Sequence, residues 1–224
     1  MKPAREFVSE FVGPFALTFI GGAAIMQTRN ADAGAGLFEV ALAHGLIYFV
    51  MVSVFMKTAG HCNPAVSLGQ LVTGRITPSQ SAIYITGQFA GAIIAALLLQ
   101  ALFPAALWEA ARGTRQMVSL DVSTGQAFAL EAIATFFLML AVMGTAVDKH
   151  GPKIGGLAIG MTLTAGMLAI GPLTGGSMNP ARSIGPMIAT GAYEGIALYL
   201  AAPIVGAVVA AVLYRYLLLD AAPE

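Results

Sequence analysis

The chain has 224 residues, 58% hydrophobic and 10% charged, where soluble domains carry roughly 25% charged residues. That deficit, together with 26 glycines, excludes a water-solvated surface and points to an integral membrane protein. A formal net charge of zero argues against nucleic acid as a partner and against a polybasic lipid-binding surface, and the single cysteine, Cys62, excludes an intrachain disulfide and a cysteine-based metal cage.

The N-terminal stretch MKPAREFVSEFVGPFALTFIGGAAIM has a basic start, as a signal peptide would. Glu6 and Glu10 interrupt it, however, and its apolar run is long enough to span, so it reads as the first membrane helix, about residues 5–27. Further apolar runs bounded by Gly, Pro and charge follow at about 37–57, 79–103, 125–147, 154–172 and 194–218. Two shorter apolar pieces, about 64–73 and 180–190, each begin directly after an asparagine and are too short to cross alone. Short, interrupted segments at corresponding places in two halves point to discontinuous helices meeting near the midplane. The expected architecture is therefore all-α, with six transmembrane helices and two re-entrant half-helices.

The halves correspond in detail. SEFVGPFALTFI near the start pairs with LEAIATFFLML, and each sets one glutamate, Glu10 or Glu131, early in an apolar helix. Glu10 precedes Asn63 by 53 residues and Glu131 precedes Asn179 by 48. Duplicating a unit with three full spans inverts the second copy, so residues 1–224 are expected to form one domain of two inverted repeats, about 1–108 and 123–220. With both termini cytoplasmic, seven basic residues (Lys2, Arg5, Lys57, Arg75, Lys149, Lys153 and Arg215) fall inside and three (Arg29, Arg112 and Arg115) outside, which favours that orientation. The longest connection, about 104–124, is then external.

Asn-Pro-Ala occurs twice, in GHCNPAVSLG (Asn63, Pro64, Ala65) and in GGSMNPARSIGP (Asn179, Pro180, Ala181). Asn is a strong N-cap because its side-chain oxygen accepts an orphan backbone N–H, and Pro suits the first helical position, where its missing N–H costs nothing. Each motif is therefore a helix start placed inside the membrane. The capping oxygen is used locally, which leaves the amide N–H groups free to donate outward. Two half-helices meeting end to end also bring two positive dipole ends together, a site that suits a neutral oxygen and repels cations. Arg182 lies about one turn beyond Asn179, so both can face one lumen. A membrane-embedded charge costs at least about 2.5–3.5 kcal/mol unless it lines water or finds a partner.

Both motifs resemble those of the major intrinsic protein family, the aquaporins and aquaglyceroporins, and the resemblance runs from EFVGPFALTFIGG to APIVGAVVAAVLY. It implies a right-handed bundle of six helices and two half-helices, a pore in every subunit of a homotetramer, and passive conduction of water and small neutral solutes. It also implies an integral membrane protein of the plasma (bacterial inner) membrane, with no cofactor. Matching ALAHGL and LTAGMLAIGP to the family pattern assigns the selectivity filter to His44, Met167, Gly176 and Arg182. The set departs from strict water channels, which carry a bulky aromatic where His44 falls and a histidine where Met167 falls. It departs equally from glycerol channels, which have an aromatic apolar corner. It is most similar to certain plant vacuolar members linked to water and ammonia. Gly176 is expected to widen the opening and His44 to keep it polar, admitting ammonia, urea, hydrogen peroxide or undissociated arsenous acid besides water.

Alternative roles exist for several residues. His44 could be a histidine packed between helices. His61 is expected to brace backbone rather than touch solute, and His150 to sit in a solvated loop. Glu10 and Glu131 are candidates for proton coupling, but their matched positions suggest that each accepts hydrogen bonds from its half's re-entrant loop. The competing functions are a facilitator mainly for glycerol or a metalloid acid and, more remotely, a proton-coupled secondary transporter. An intramembrane enzyme is disfavoured: no His/Glu pair has metal-binding helical spacing and no serine sits in a nucleophile motif, so neither catalytic nor metal-binding residues are assigned.

Overall fold

The structure, a computed structural model, describes residues 2–31 and 33–219; the outer edges of the expected domain, Met1 and residues 220–224, lie outside the described residues, as does Asp32. The described residues form nine α-helices: α1 (Lys2–Gln27), α2 (Leu37–Phe55), α3 (Pro64–Val72), α4 (Pro78–Leu102), α5 (Ala105–Ala110), α6 (Thr124–Val142), α7 (Gly155–Thr174), α8 (Pro180–Thr190) and α9 (Ile196–Leu213). Single π-helical turns, Met143–Val147 and Tyr214–Leu218, prolong α6 and α9. No strand occurs among the described residues.

Local chemistry sets the ends of these helices. Thr77 caps α4 by accepting from Gln80 N, with Pro78 at the first position, and Ser123 caps α6 by accepting from Gln126 N. Pro172 suggests an end for α7 near that residue, yet the helix runs on to Thr174. Proline removes one donor there, and the stop comes at Gly175, which turns left-handed (φ 80°) and returns its N–H to Gly171 O. The long connection is partly ordered as α5 and a 3₁₀ turn (Arg112–Thr114), which bring Trp108 and Ala111 against Met26 and Leu99.

Six helices, α1, α2, α4, α6, α7 and α9, are long and apolar enough to cross a membrane. Only 33–44% of the most apolar 18-residue stretch of each is buried, and many apolar side chains of these helices are exposed. Val54, Leu102 and Phe137 are 60%, 67% and 56% exposed, a surface that suits hydrocarbon and not water. An even number of spans leaves Lys2 and Leu219 at the same end of the bundle.

α1 packs along α4, α6 along α9, and α2 along α7. Each half-helix leans mainly on a long helix of the other half, α3 on α9 and α8 on α4. Glycines set the seams. A Cβ at Gly91 would overlap the carbonyl oxygen of Phe11 on α1, and one at Gly206 would overlap that of Ala132 on α6, so the two outer helix pairs approach through equivalent bare backbone.

Gly91→Val should therefore force α1 from α4 and cost at least about 1–3 kcal/mol, read as a lower unfolding temperature of the purified protein. Gly125→Ala, at an open position with nothing within 4 Å, should leave that temperature unchanged.

Candidate functional site

The segments before the two Asn-Pro-Ala motifs are irregular backbone inside the bundle, and their polar groups have few places to go. Glu10 on α1 meets this need in the first half: Oε1 accepts from His61 N (2.7 Å) and Oε2 from Cys62 N (2.8 Å). Glu131 on α6 does the same in the second, accepting from Ser177 N (2.8 Å) and Met178 N (2.9 Å). Both glutamates have no solvent exposure. A third donor completes each carboxylate, Gln88 Nε2 for Glu10 (2.5 Å) and Thr174 Oγ1 for Glu131 (2.7 Å).

The two loops are also stitched to each other. Asn63 Oδ1 caps α3 by accepting from Ala65 N, and Asn179 Oδ1 caps α8 by accepting from Ala181 N. Each amide then crosses over: Asn63 Nδ2 donates to Met178 O (2.8 Å) and Asn179 Nδ2 to Cys62 O (2.9 Å). The receiving residues, Cys62 and Met178, are both left-handed (φ 52° and 51°), an uncommon state for side chains of this kind, and it aims their carbonyls at the opposite asparagine. One N–H of each amide is thus spent on the partner loop, because irregular loops buried together must satisfy each other's carbonyls.

The four residues matched to the filter form one contiguous set. Arg182 Nη1 donates to Gly176 O (2.9 Å), and Arg182 Nη2 to His44 Nε2 (3.2 Å). A Cβ on Gly176 would lie 3.2 Å from Met167 Cα. His44, Met167 and Arg182 are each at most 2% exposed. Because a guanidinium only donates, His44 Nε2 must accept, which leaves Nδ1–H to donate to Val40 O (2.8 Å). Both ring nitrogens are therefore occupied by protein. The outer ring edge packs against Gly21 of α1, where a Cβ would overlap it, so His44 sits between helices while holding the arginine. Gly176 takes part through its backbone. Its Cβ direction runs into Met167, its φ of 56° disfavours any side chain, and its functional group is the carbonyl that receives Arg182.

Two chambers flank this region. The one at the end away from the chain termini, of about 500 Å³, is lined by Val40, Met167, Gly175 and Arg182 together with arginines of the connecting segments. The one toward the termini, of about 90 Å³, is lined by Tyr48, Gly60, His61, Gln70 and the α6 end from Val142 to Val147. His61 combines two roles: its backbone is held by Glu10 and, through its carbonyl, by Tyr48 OH (3.1 Å), while its ring reaches Ser67 Oγ (3.1 Å) and faces this smaller chamber. His150 lies in the loop after α6, where its N–H donates to Asp148 Oδ1 (2.8 Å); that bond and the Tyr214 hydroxyl hold the Asp148 carboxyl below its ordinary range. Sequence reading overlooked Gln88, Thr174, Tyr48 and Gln70, although each is a polar side chain in an apolar run, which is the signal that could have found them. Gln70 lines the smaller chamber, and its Oε1 is buried without a hydrogen-bond partner. No cluster of metal-ligating residues occurs among the described residues.

The family description Major intrinsic protein matches residues 1–214. The chain is 38% identical to nodulin-26 of Glycine max over 216 residues, covering 94% of this chain and 77% of that one. It is 36% identical to the probable aquaporin TIP2-2 of Oryza sativa subsp. japonica over 221 residues, covering 95% and 86%. The fold is similar to the crystal structure of the aquaglyceroporin from Plasmodium falciparum, with a TM-score of 0.84, 26% identity and 96% of each chain covered.

Glu131→Ala should strand two backbone N–H groups, at about 1–3 kcal/mol each, while the Thr174 hydroxyl keeps the Ile170 carbonyl as acceptor. The expected outcome is a marked fall in unfolding temperature, with Glu131→Gln, which keeps one carbonyl oxygen, falling less. A second expectation concerns Cys62, which is fully buried with its sulfur against Gly13 of α1 and lines neither chamber. The folded protein should resist mercurial labelling, measured by thiol titration before and after unfolding. Rapid labelling of the native protein would place the thiol on the lumen instead.

Proposed function

The chain belongs to the major intrinsic protein family, and we propose that its lumen runs from the large chamber past Arg182 and Met167, between the two asparagines, to the small chamber. The protein is an integral multi-pass membrane protein, a passive channel for water and small solutes and not an enzyme. The observation that carries the proposed path is the chain of hydrogen bonds joining both half-helix starts to each other and to Arg182 between two chambers.

On this reading Asn63 and Asn179 each offer their remaining N–H to a passing oxygen, while Arg182 Nε, which has no protein partner, offers a third donor nearer the large chamber. His44, Met167, Gly176 and Arg182 form the selectivity filter, with His44 fixing the guanidinium and Met167 supplying an apolar side. Fixed donors on a guanidinium favour neutral acceptor-bearing molecules and oppose cations, hydronium included. Glu10 and Glu131 serve as loop holders. Each already accepts three hydrogen bonds, and a proton carrier would have to give these up in every cycle, which supports passive conduction over proton coupling.

The matched bonding of the two halves supports two inverted repeats, about residues 1–108 and 123–220, in one channel domain. The distribution of basic residues supports cytoplasmic termini in a plasma (bacterial inner) membrane, and family membership supports a homotetramer with one pore per subunit. The solutes proposed besides water are ammonia, urea, hydrogen peroxide and undissociated arsenous acid. Similarity to an aquaglyceroporin favours glycerol as a second reading.

Stopped-flow light scattering on proteoliposomes with a panel of neutral osmolytes should show water flux and passage of at least one of the small polar solutes, with glycerol slower. Glycerol flux exceeding all others would select the second reading. Arg182→Val should raise proton leak at least about fivefold in a pH-dye assay, since removing one charge at close range lowers a cation barrier by about 1–4 kcal/mol. His44→Phe should release Nη2 and disturb the solute-to-water ratio more than total flux.

A further inference from the structure

The large chamber has an unbalanced wall. Arg29, Arg112, Arg115 and Arg182 all line it, and among the described residues no carboxylate does. Glu194 pairs with Arg115 (2.6 Å) but is itself 79% exposed and lies outside this lining. Arg112 spends Nη1 on Met117 Sδ, a weak acceptor that leaves its charge uncompensated. At the bottom of the chamber Arg182 is 2% exposed, with Nε buried and unpartnered. Around the guanidinium groups the walls include apolar Ile25, Leu37 and Val40, with Thr28 and Gln116 as the uncharged polar side chains. A cleft lined by one sign of charge with low-dielectric walls concentrates field and raises the local concentration of counter-ions. Guanidinium forks suit oxygen pairs on planar or tetrahedral anions better than a spherical halide.

We propose that this chamber is a binding site for a small multivalent oxyanion of the sulfate or phosphate type, which binds among Arg29, Arg112 and Arg115, stands over Arg182 and closes the lumen from that end. The closure rests on the permeation path proposed above; the binding does not. The chamber's volume of about 500 Å³ accommodates a hydrated tetrahedral anion. The ligand is a free anion in this reading, because the arginines surround a chamber whose floor is Arg182, not a surface facing the lipid.

The test is osmotic water permeability of the full chain in phosphatidylcholine liposomes, in sodium sulfate against sodium chloride at matched ionic strength on both sides. Each protein is referenced to its own permeability in chloride. Sulfate should lower permeability saturably in the parent, and the double variant Arg29→Gln/Arg112→Gln should raise the half-inhibiting concentration about tenfold, as expected for losing two partly exposed charge contacts. Equal permeability in sulfate and chloride, or the same half-inhibition in parent and variant, would overturn the proposal. Calorimetric titration of sulfate into detergent-solubilised protein reads binding without conduction. No water flux in chloride, alongside specific sulfate binding lost in the variant, would defeat the permeation path and leave the site standing; absence of sulfate binding would defeat the site. Inhibition appearing in phosphatidylglycerol liposomes without sulfate, and not in phosphatidylcholine with it, would assign the arginines to lipid headgroups and refute the free-anion site.

Discussion

Two buried carboxylates hold the interior of this protein in place. Backbone that leaves regular helix inside a membrane loses its water partners, and each unsatisfied N–H there costs several kcal/mol. Glu10 and Glu131 each capture the two consecutive N–H groups that precede an asparagine, at residues 61–62 and 177–178. Their position on long helices fixes the depth at which α3 and α8 begin. Without that anchoring, neither asparagine could find the carbonyl of the opposite loop. Buried acids are usually read as proton carriers, but three fixed donors on each carboxylate favour a structural role for these two.

The second layer of constraint is reciprocal. Each asparagine caps its own half-helix with oxygen and crosslinks to the other loop with nitrogen. This geometry demands that Cys62 and Met178 turn left-handed, an investment of conformational energy that only a heavily determined site sustains. It also explains why Cys62 points its sulfur at α1: with the carbonyl committed to Asn179, the side chain is directed to the opposite side, against Gly13.

Charge is arranged in depth. Arg182 is held from two sides by uncharged groups, a carbonyl and an imidazole nitrogen, while the Glu131 carboxyl acts on it only through space. Its positive field therefore remains available to the lumen, and the arginines nearer the chamber mouth add to it. The opposite chamber is smaller and carries no arginine in its lining, where His61 and Gln70 are the polar side chains besides Tyr48.

Composition, periodic apolar runs and the repeated Asn-Pro-Ala determined the membrane setting, the six long helices and the two half-helices to within a few residues, because hydrocarbon length and cap chemistry are local properties. The same patterns single out Glu10, Glu131, Asn63, Asn179 and Arg182 as polar groups inside apolar segments. What only the tertiary structure decided is how those groups spend their hydrogen bonds. One N–H of each asparagine is taken by a carbonyl more than a hundred residues away, His44 has both nitrogens engaged, and the Gly176 carbonyl receives Arg182. Gln88, Thr174 and Tyr48, which complete the supports, stand in unrelated helices. Such pairings depend on which backbone atoms meet across the bundle, and that is settled by helix crossings at bare glycine surfaces such as Gly91 and Gly206 rather than by any stretch of sequence taken alone.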